Sequence, residues 1–304
     1  MEMKAVALKL TQLIVSIPHL PRRHKIAQAA YRRLLDEDAI VAGKIGSYKT
    51  SFDFADELQR RMYFGLYDQP EVQLMRHLLR PGHTFFDVGA HIGYYSLVAS
   101  QLVGHSGHVH AFEPLQQNLA RLEDVVAANQ ISNITANQFA IGSAIGSITL
   151  YSGPPDLANS GQSSVNPHSR LPFEATVSMI TLDEYVSSRN IAQVSLVKLD
   201  IEGYEYEAFL GMNSLLREEG APHLIFEVNE FLLNKLKLDS TILTEHLSDL
   251  GYSIFTISPF CLDAISPDKP LRNGVQNLFA TKIPSGIGLG SLMLDSENSF
   301  WLPI

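Results

Sequence analysis

An apolar run that ends in an acid and then turns on two glycines constrains this chain more than any other feature. Phe85-Phe86-Asp87-Val88 reads as a buried strand, Gly89-Ala90-His91-Ile92-Gly93 as a turn, and Tyr94-Tyr95-Ser96-Leu97-Val98-Ala99 as the start of a helix. Strand–turn–helix corners of this kind carry nucleotide-type cofactors in α/β sheets. Gly89 can adopt a backbone angle closed to other residues and lets a ligand approach the main chain. The helix start offers free N–H groups and the positive end of a dipole. Asp87 distinguishes the corner from a dinucleotide one, because an acid there repels a pyrophosphate and tolerates a cation.

S-adenosylmethionine (SAM) meets that condition, since it has no phosphate and carries an ammonium and a sulfonium. The second half of the fingerprint lies one strand later. Val109-His110-Ala111-Phe112 reads as a short buried strand ending in Glu113-Pro114, and Glu113 follows Gly89 by 24 residues. That interval suits an acid that reaches a ribose diol, with two carboxylate oxygens accepting from two vicinal hydroxyls.

At 304 residues the chain can bury one large α/β core with additions. A formal charge of −9 argues against nucleic acid as a partner. The single cysteine, Cys261, excludes an intrachain disulfide framework and a Cys-rich metal site, and it fits a reducing compartment. It reads as a small core residue beside a strand rather than a nucleophile. The histidines form no metal signature: His108 and His110 share a strand face without an identifiable third ligand.

No stretch is long and apolar enough to span a bilayer, and a cytoplasmic location is expected. The first 35 residues nevertheless carry seven Lys/Arg (Lys4, Lys9, Arg22, Arg23, Lys25, Arg32, Arg33) against one acid, Glu2. Two readings follow: a helical cap that packs on the domain, the favoured one, or peripheral contact with an anionic inner membrane.

Residues 1–40 read as helix, 44–54 as a short hairpin, and 56–79 as helix up to the stop signal Arg80-Pro81-Gly82. Strands are then expected at 84–88, 108–112, 134–140, 194–199, 222–228, 252–257 and 275–281. Helices at 93–102, 115–129, 205–217 and 240–250 lie between them. This alternation predicts a mostly parallel sheet covered on both faces. Three parts follow: a cap over 1–80, a sheet domain over 81–283 and a tail over 284–304. Residues 143–182 interrupt the alternation with added strands and a Ser/Gly/Pro-rich loop, 152–172, which at that length suggests a functional role.

A second charged corner follows Val194-Ser195-Leu196-Val197-Lys198-Leu199. Asp200, Glu202, Glu205 and Glu207 place four carboxylates within eight residues at the mouth of the sheet. Such crowding needs a positive partner or water: a cationic group of the substrate, a divalent metal, or solvent. Acids in a first helical turn are favoured by the dipole, which suffices for Glu205 and Glu207. Asp200 ends an apolar strand where these sheets place ligands, so a functional role leads there, and Glu202 is evenly balanced. Lys198 can pair with one of these acids. Glu227, at the end of Leu224-Ile225-Phe226, is either a second wall of the site or an outward-facing residue.

Taken in order, these residues resemble the FkbM family of SAM-dependent methyltransferases. The matching runs are Phe64-Gly65-Leu66-Tyr67-Asp68, Phe86-Asp87-Val88-Gly89-Ala90-His91-Ile92-Gly93-Tyr94-Tyr95-Ser96 and Ala111-Phe112-Glu113-Pro114. They continue with Ala140-Ile141-Gly142, Thr181-Leu182-Asp183-Glu184-Tyr185, Val197-Lys198-Leu199-Asp200-Ile201-Glu202-Gly203-Tyr204-Glu205 and Phe226-Glu227-Val228. The resemblance covers about residues 60–230. It implies a Rossmann-like class I methyltransferase: an α/β fold with a seven-stranded, mostly parallel sheet whose last strand is antiparallel. It also implies methylation of hydroxyls on sugars, glycolipids or natural products. The family usually has Asn at position 91 and Glu at position 68, where this chain has His91 and Asp68, so side-chain roles there stay open.

On that basis the cofactor residues are Asp87, Gly89, Ala90, His91, Gly93, Glu113, Pro114, Ala140, Ile141 and Asp200, with Asp87, Gly89 and Gly93 under the methionine moiety. Asp200 meets the methionyl ammonium or the acceptor, Glu202 or Glu205 takes the acceptor's proton, and a loop around Asn159–Ser164 closes over the site. Two other readings stay open: a metal-assisted O-methyltransferase using Asp200 and Glu227, and a non-catalytic SAM-binding partner protein. An NAD-dependent oxidoreductase is disfavoured by Asp87 and by the missing Gly-x-Gly-x-x-Gly turn.

Overall fold

A computed structural model of the chain describes residues 2–17, 20–35, 39–153, 163–164, 173–235, 237–258, 261–271 and 274–282. The expected closing loop at Asn159–Ser164 has only residues 163–164 among them, and the tail over 284–304 lies outside them. The first elements are helices α1 (Glu2–Val15) and α2 (Arg23–Leu34), the hairpin β1 (Ile40–Ile45) and β2 (Tyr48–Asp53), and helices α3 (Glu57–Tyr63) and α4 (Gln69–Leu78). The sheet then begins with β3 (Thr84–Val88), α5 (Tyr94–Val103), β4 (His108–Phe112), α6 (Gln116–Ala128) and β5 (Ile134–Asn137). An inserted group follows: β6 (Ala140–Ile141), β7 (Gly146–Ser152), β8 (Ser163–Ser164) and β9 (Phe173–Ile180). After it come α7 (Leu182–Arg189), β10 (Leu196–Leu199), α8 (Glu205–Leu210), α9 (Asn213–Arg217) and β11 (His223–Asn229). The described chain finishes with α10 (Glu230–Lys235), α11 (Thr241–Asp249), β12 (Ser253–Ile257), β13 (Leu262–Ala264) and β14 (Val275–Thr281).

The central sheet has the order β13-β12-β14-β11-β10-β3-β4-β5. Strands β5, β4, β3, β10 and β11 are parallel, and β14 runs antiparallel to both β11 and β12. Seven of these strands give the class I methyltransferase arrangement, and the short β13 adds an eighth at the edge. The chain builds β3, β4 and β5 outward, then crosses back to β10, so strand order reverses between β3 and β10. Ligands in such sheets bind beyond the carboxyl ends at that reversal.

Alternation along the strands sorts apolar side chains to two faces. Phe85, Val109, Leu196 and Ile225 join a core that also holds Leu8, Phe52 and Met62 of the N-terminal elements. Phe86, Phe112, Val197 and Phe226 pack the opposite face with residues of α8, α9 and α11. At the carboxyl ends the first face turns polar. Asp87 is the register partner of Lys198, and Glu227 is the partner of Asn277.

Several expected elements are divided. The helix over 56–79 breaks into α3 and α4, because Gly65 and Asp68 take positive φ values of 63° and 40°. Asp56 caps α3 by accepting from the N–H groups of Leu58 and Gln59 at 2.7 and 3.2 Å. The strand over 134–140 leaves the central sheet after Asn137, and Ala140–Ile141 pairs with β9 in a second, four-stranded sheet. The helix over 205–217 is interrupted at Gly211, where an added Cβ would lie 1.9 Å from the Gly142 carbonyl oxygen. The helix over 1–40 is divided into α1 and α2, which pack against each other, followed by the start of β1.

Candidate active site

A cleft of about 640 Å³ opens where β3, β4 and β10 end, a size typical of small-molecule and cofactor sites. Its floor joins the two charged corners. Gly89 sits at φ 83°, and an added Cβ would lie 2.0 Å from the Asp200 carbonyl oxygen. The Asp200 N–H in turn donates to the Val88 carbonyl at 3.0 Å. Glycine at 89 is therefore required by the close approach of β10 as well as by its own backbone angle.

Three N–H groups of the turn that precedes α5 are already engaged within the protein. Gly89 and Ala90 both donate to the Phe112 carbonyl at 2.9 and 3.0 Å. The His91 N–H donates to Glu113 Oε2 at 2.9 Å. These three donors are therefore not available to cradle a pyrophosphate.

Glu113 is buried at the end of β4 and lines the cleft. Its Oε1 accepts from the Leu115 N–H at 3.0 Å and from Asn118 Nδ2 at 3.3 Å. Burial raises its pKa to about 7 against the opposing effect of these donors. An ionised carboxylate has about four acceptor sites, so Oε2, with one donor, retains capacity for a hydroxyl.

Of the other expected residues, Ala90, His91, Pro114, Ala140, Ile141, Asp200 and Glu202 line the cleft. Three are placed otherwise, and they correct the sequence reading. Asp87 is buried beneath the floor and accepts from Ser96 Oγ at 2.5 Å, with burial raising its pKa to about 6. Gly93 does not line the cleft: it opens α5 at φ 85°, and an added Cβ would meet Leu122 Cδ1 of α6 at 2.3 Å, so it serves the close packing of α6 on this turn. Glu205 is only 1% exposed, and its Oε1 accepts from the N–H groups of Ile201 and Gly203 at 3.1 and 3.4 Å. It braces the loop that carries Glu202 and does not reach the cleft.

Glu202 itself has φ 55°. Burial, then the neighbouring Asp200 and Glu205, raise its pKa to about 8. Glu227 also lines the cleft, which places it in the wall, and its pKa is raised by burial, Asp200 and Glu202. Three cleft-lining residues other than glycine, Asp68, His91 and Glu202, adopt left-handed backbone angles. Asp, Asn and His are enriched in that region, which accounts for Asp68 and His91 there. Glu202 is the strained member, and strain of this kind clusters at active sites.

The positive partner of the acidic corner comes from the protein itself. Lys198 Nζ is fully buried and lies 3.4 Å from Asp200 Oδ2, with Asn277 Oδ1 also at 3.4 Å. Burial alone would lower its pKa, but Asp200, Asp68, Glu227 and Glu71 outweigh that and raise it. Lys198 also lies 5.2 Å from the centroid of the Tyr95 ring, whose hydroxyl donates to Asp68 Oδ2 at 2.8 Å. Among the described residues no group of three or more His, Cys, Asp or Glu is placed to hold a metal ion. The expected pairing of Lys198 with one of the acids is met at Asp200, while the wider network reaching Asp68 and Glu71 and the cleft residues Arg61 and Asn229 went unread in the sequence. A lone lysine in the apolar strand Leu196–Leu199 was the signal that could have found it.

Comparison with known proteins decides the family. The family model described as the methyltransferase FkbM domain matches residues 87–254, more than half of the chain. The chain belongs to the FkbM methyltransferase family. Among curated members, the hexuronic acid methyltransferase AglP of Haloferax volcanii is 25% identical over 150 residues, 49% of this chain and 58% of that protein. The 31-O-demethyl-FK506 methyltransferase FkbM of Streptomyces tacrolimicus is 30% identical over 161 residues, 44% of this chain and 61% of that protein. The chain thus spans about three fifths of the curated relatives it matches. A solved FkbM methyltransferase from Methylobacillus flagellatus aligns at TM-score 0.43 and 18% identity, over 74% of this chain and 55% of that one.

SAM is the cofactor of FkbM methyltransferases, and the cleft fits it. Glu113 Oε2 offers acceptor capacity for a ribose hydroxyl, and the lining carboxyl groups suit a cationic ligand. Two buried polar atoms of cleft residues, His91 Nε2 and Arg61 Nε, have no hydrogen-bond partner. Unpaired buried groups of this kind are destabilising unless a ligand satisfies them. Burial lowers the His91 pKa to about 4, so its ring is neutral at pH 7.

Proposed function

We propose that this chain methylates a hydroxyl group of a sugar, glycolipid or natural-product acceptor, with SAM as donor. The observation that carries the reading is the joint placement, in one cleft at the strand-order reversal, of Gly89, Glu113, Asp200 and Glu202. When bound, SAM supplies an electrophilic methyl carbon whose bond to sulfur breaks as the acceptor oxygen bonds to it. Glu113 holds the ribose end, Ala140 and Ile141 border the base, and Asp200 faces the charged end from the floor. Glu202 takes the hydroxyl proton. An aliphatic alcohol is a poor nucleophile until that proton leaves, and a base works best with a pKa near the operating pH. The raised proton affinity of Glu202 meets that condition, whereas Glu205 is held by the backbone of its own loop. Holding oxygen, carbon and sulfur in line supplies the rest of the rate enhancement, about 7–11 kcal/mol in favourable cases.

The relatives support the same acceptor chemistry: AglP of Haloferax volcanii is a hexuronic acid methyltransferase, and FkbM of Streptomyces tacrolimicus is a 31-O-demethyl-FK506 methyltransferase. Incubation with methyl-labelled SAM and a panel of free sugars, glycolipids and polyol natural products tests the reading. Label is expected in a base-stable ether on at least one hydroxyl acceptor. Transfer only to amines or thiols would overturn the acceptor class. SAM binding without transfer to any acceptor class would favour a non-catalytic SAM-binding protein.

A further inference from the structure

We propose that the outer face of α1 docks on an anionic lipid bilayer. Helix α1 is apolar on two sides. Leu8, Thr11 and Val15 form its buried inner side, and Gln12 Nε2 donates to the Tyr63 carbonyl at 2.6 Å, which ties the helix to α3. On the other side Val6, Leu10, Leu13, Ile14 and the following Ile17 are 44–62% exposed. Their spacing of three to four residues draws a continuous stripe along more than two helical turns. Five large aliphatic side chains in one exposed row are unlike the scattered single hydrophobics of ordinary protein surfaces.

Charge selects the occupant. The first 35 residues carry seven Lys/Arg and one acid, in a chain whose formal charge is −9. Lys4, Lys9, Arg22, Lys25, Arg32 and Arg33 are exposed on α1 and α2 or at their ends. A second copy of this chain or an ordinary acidic protein would gain little from a patch that is both strongly basic and broadly aliphatic. A bilayer with anionic headgroups satisfies both features at once: side chains enter the acyl boundary while lysine and arginine stay at headgroup level. The stripe is too short to cross the bilayer, and no described helix is long and apolar enough to do so.

Because α3 supplies Glu57, Leu58, Arg61 and Met62 to the cleft wall, docking through α1 holds the cleft close to the lipid surface. If the methyl-transfer reading holds, the acceptor class narrows to a lipid-linked glycan or another membrane-held hydroxyl compound. The docking itself does not rest on that reading.

Flotation of the full chain with phosphatidylcholine vesicles, with and without 30 mol% phosphatidylglycerol, tests the proposal without SAM or turnover. Binding is expected to the anionic vesicles, and to fall at least tenfold in the double variant Leu10→Glu/Leu13→Glu and at high salt. Both residues point outward, so the variant's thermal melt should match the parent's. Equal binding by parent and variant would overturn the proposal, as would failure of the parent to bind anionic vesicles. A parent that runs as a dimer, turns monomeric in the variant and ignores vesicles would assign the stripe to a second copy instead.

Discussion

Replacing Glu202 by Gln is expected to lower the methyl-transfer rate constant by about 10²–10⁴-fold while SAM still binds, the usual contribution of a placed proton acceptor. The amide keeps the shape of the side chain and the backbone angle at 202, so the change removes proton affinity and little else. The pH profile supplies the second half of the expectation. A base works only when unprotonated, and burial with two acidic neighbours lifts Glu202 to about pH 8. Below that point the rate should climb about tenfold per pH unit, level off above it, and lose this inflection in the variant. The same raised affinity means the folded chain holds a proton that the unfolded chain releases between about pH 4.5 and 8. Stability therefore declines as pH rises through that window, and rates are best compared after the melt at each pH is known. A variant within threefold of the parent, with an unmoved inflection, would take Glu202 out of the chemistry.

Lys198→Met is expected to be the most destabilising single change on the sheet. Its ammonium is fully buried and faces Asp200, Asp68, Glu227 and Glu71. Methionine fills nearly the same volume, so the change isolates the charge. Removing one partner of a buried ion pair costs about 3–5 kcal/mol, because the remaining charge stays desolvated. The sign follows from which groups titrate. Lys198 is protonated in both folded and unfolded states at pH 7, since its raised pKa makes its contribution present below the ordinary value of 10.5. The penalty comes from the orphaned carboxylates, and it shrinks at low pH, where Asp68 and Glu71, already raised by burial, take up protons. Chemical denaturation of both proteins at pH 5 and pH 8 measures it. A loss below about 1 kcal/mol at pH 8, or one equal at both pH values, would show that the lysine is not what holds these acids together.

How far the sequence could be read depended on whether a feature was local. Thr84–Val88 and Val275–Thr281 fall on their expected bounds, because an apolar run closed by Asp87-Val88-Gly89 or flanked by polar residues is decided within a few positions. The joining of the two charged corners was half legible: both were placed at strand ends, but the contact of Gly89 with the Asp200 carbonyl depends on the parallel register of β3 and β10. Asp87 and Glu205 show the converse limit. Each is an acid in a motif beside the cofactor corner, and side-chain direction turns each away from the cleft, Asp87 towards Ser96 and Glu205 towards the Ile201 and Gly203 amides. The division of the 56–79 helix follows from positive φ at Gly65 and Asp68, and only the glycine is a visible signal. The pairing of Lys198 with Asp200, two residues on, was legible, but its other acidic neighbours come from α4, the turn before α4 and β11, which no spacing along the chain brings to it.

Calorimetric titration of the purified protein with SAM, its demethylated product and NAD tests the central claim most directly. Micromolar binding of SAM and of its product, with none of NAD, is the predicted result, because the N–H groups of Gly89, Ala90 and His91 are taken and Glu113 retains acceptor capacity. Binding of NAD, or no binding of SAM, would contradict it and would remove the assignment of this cleft as a methyl-transfer site.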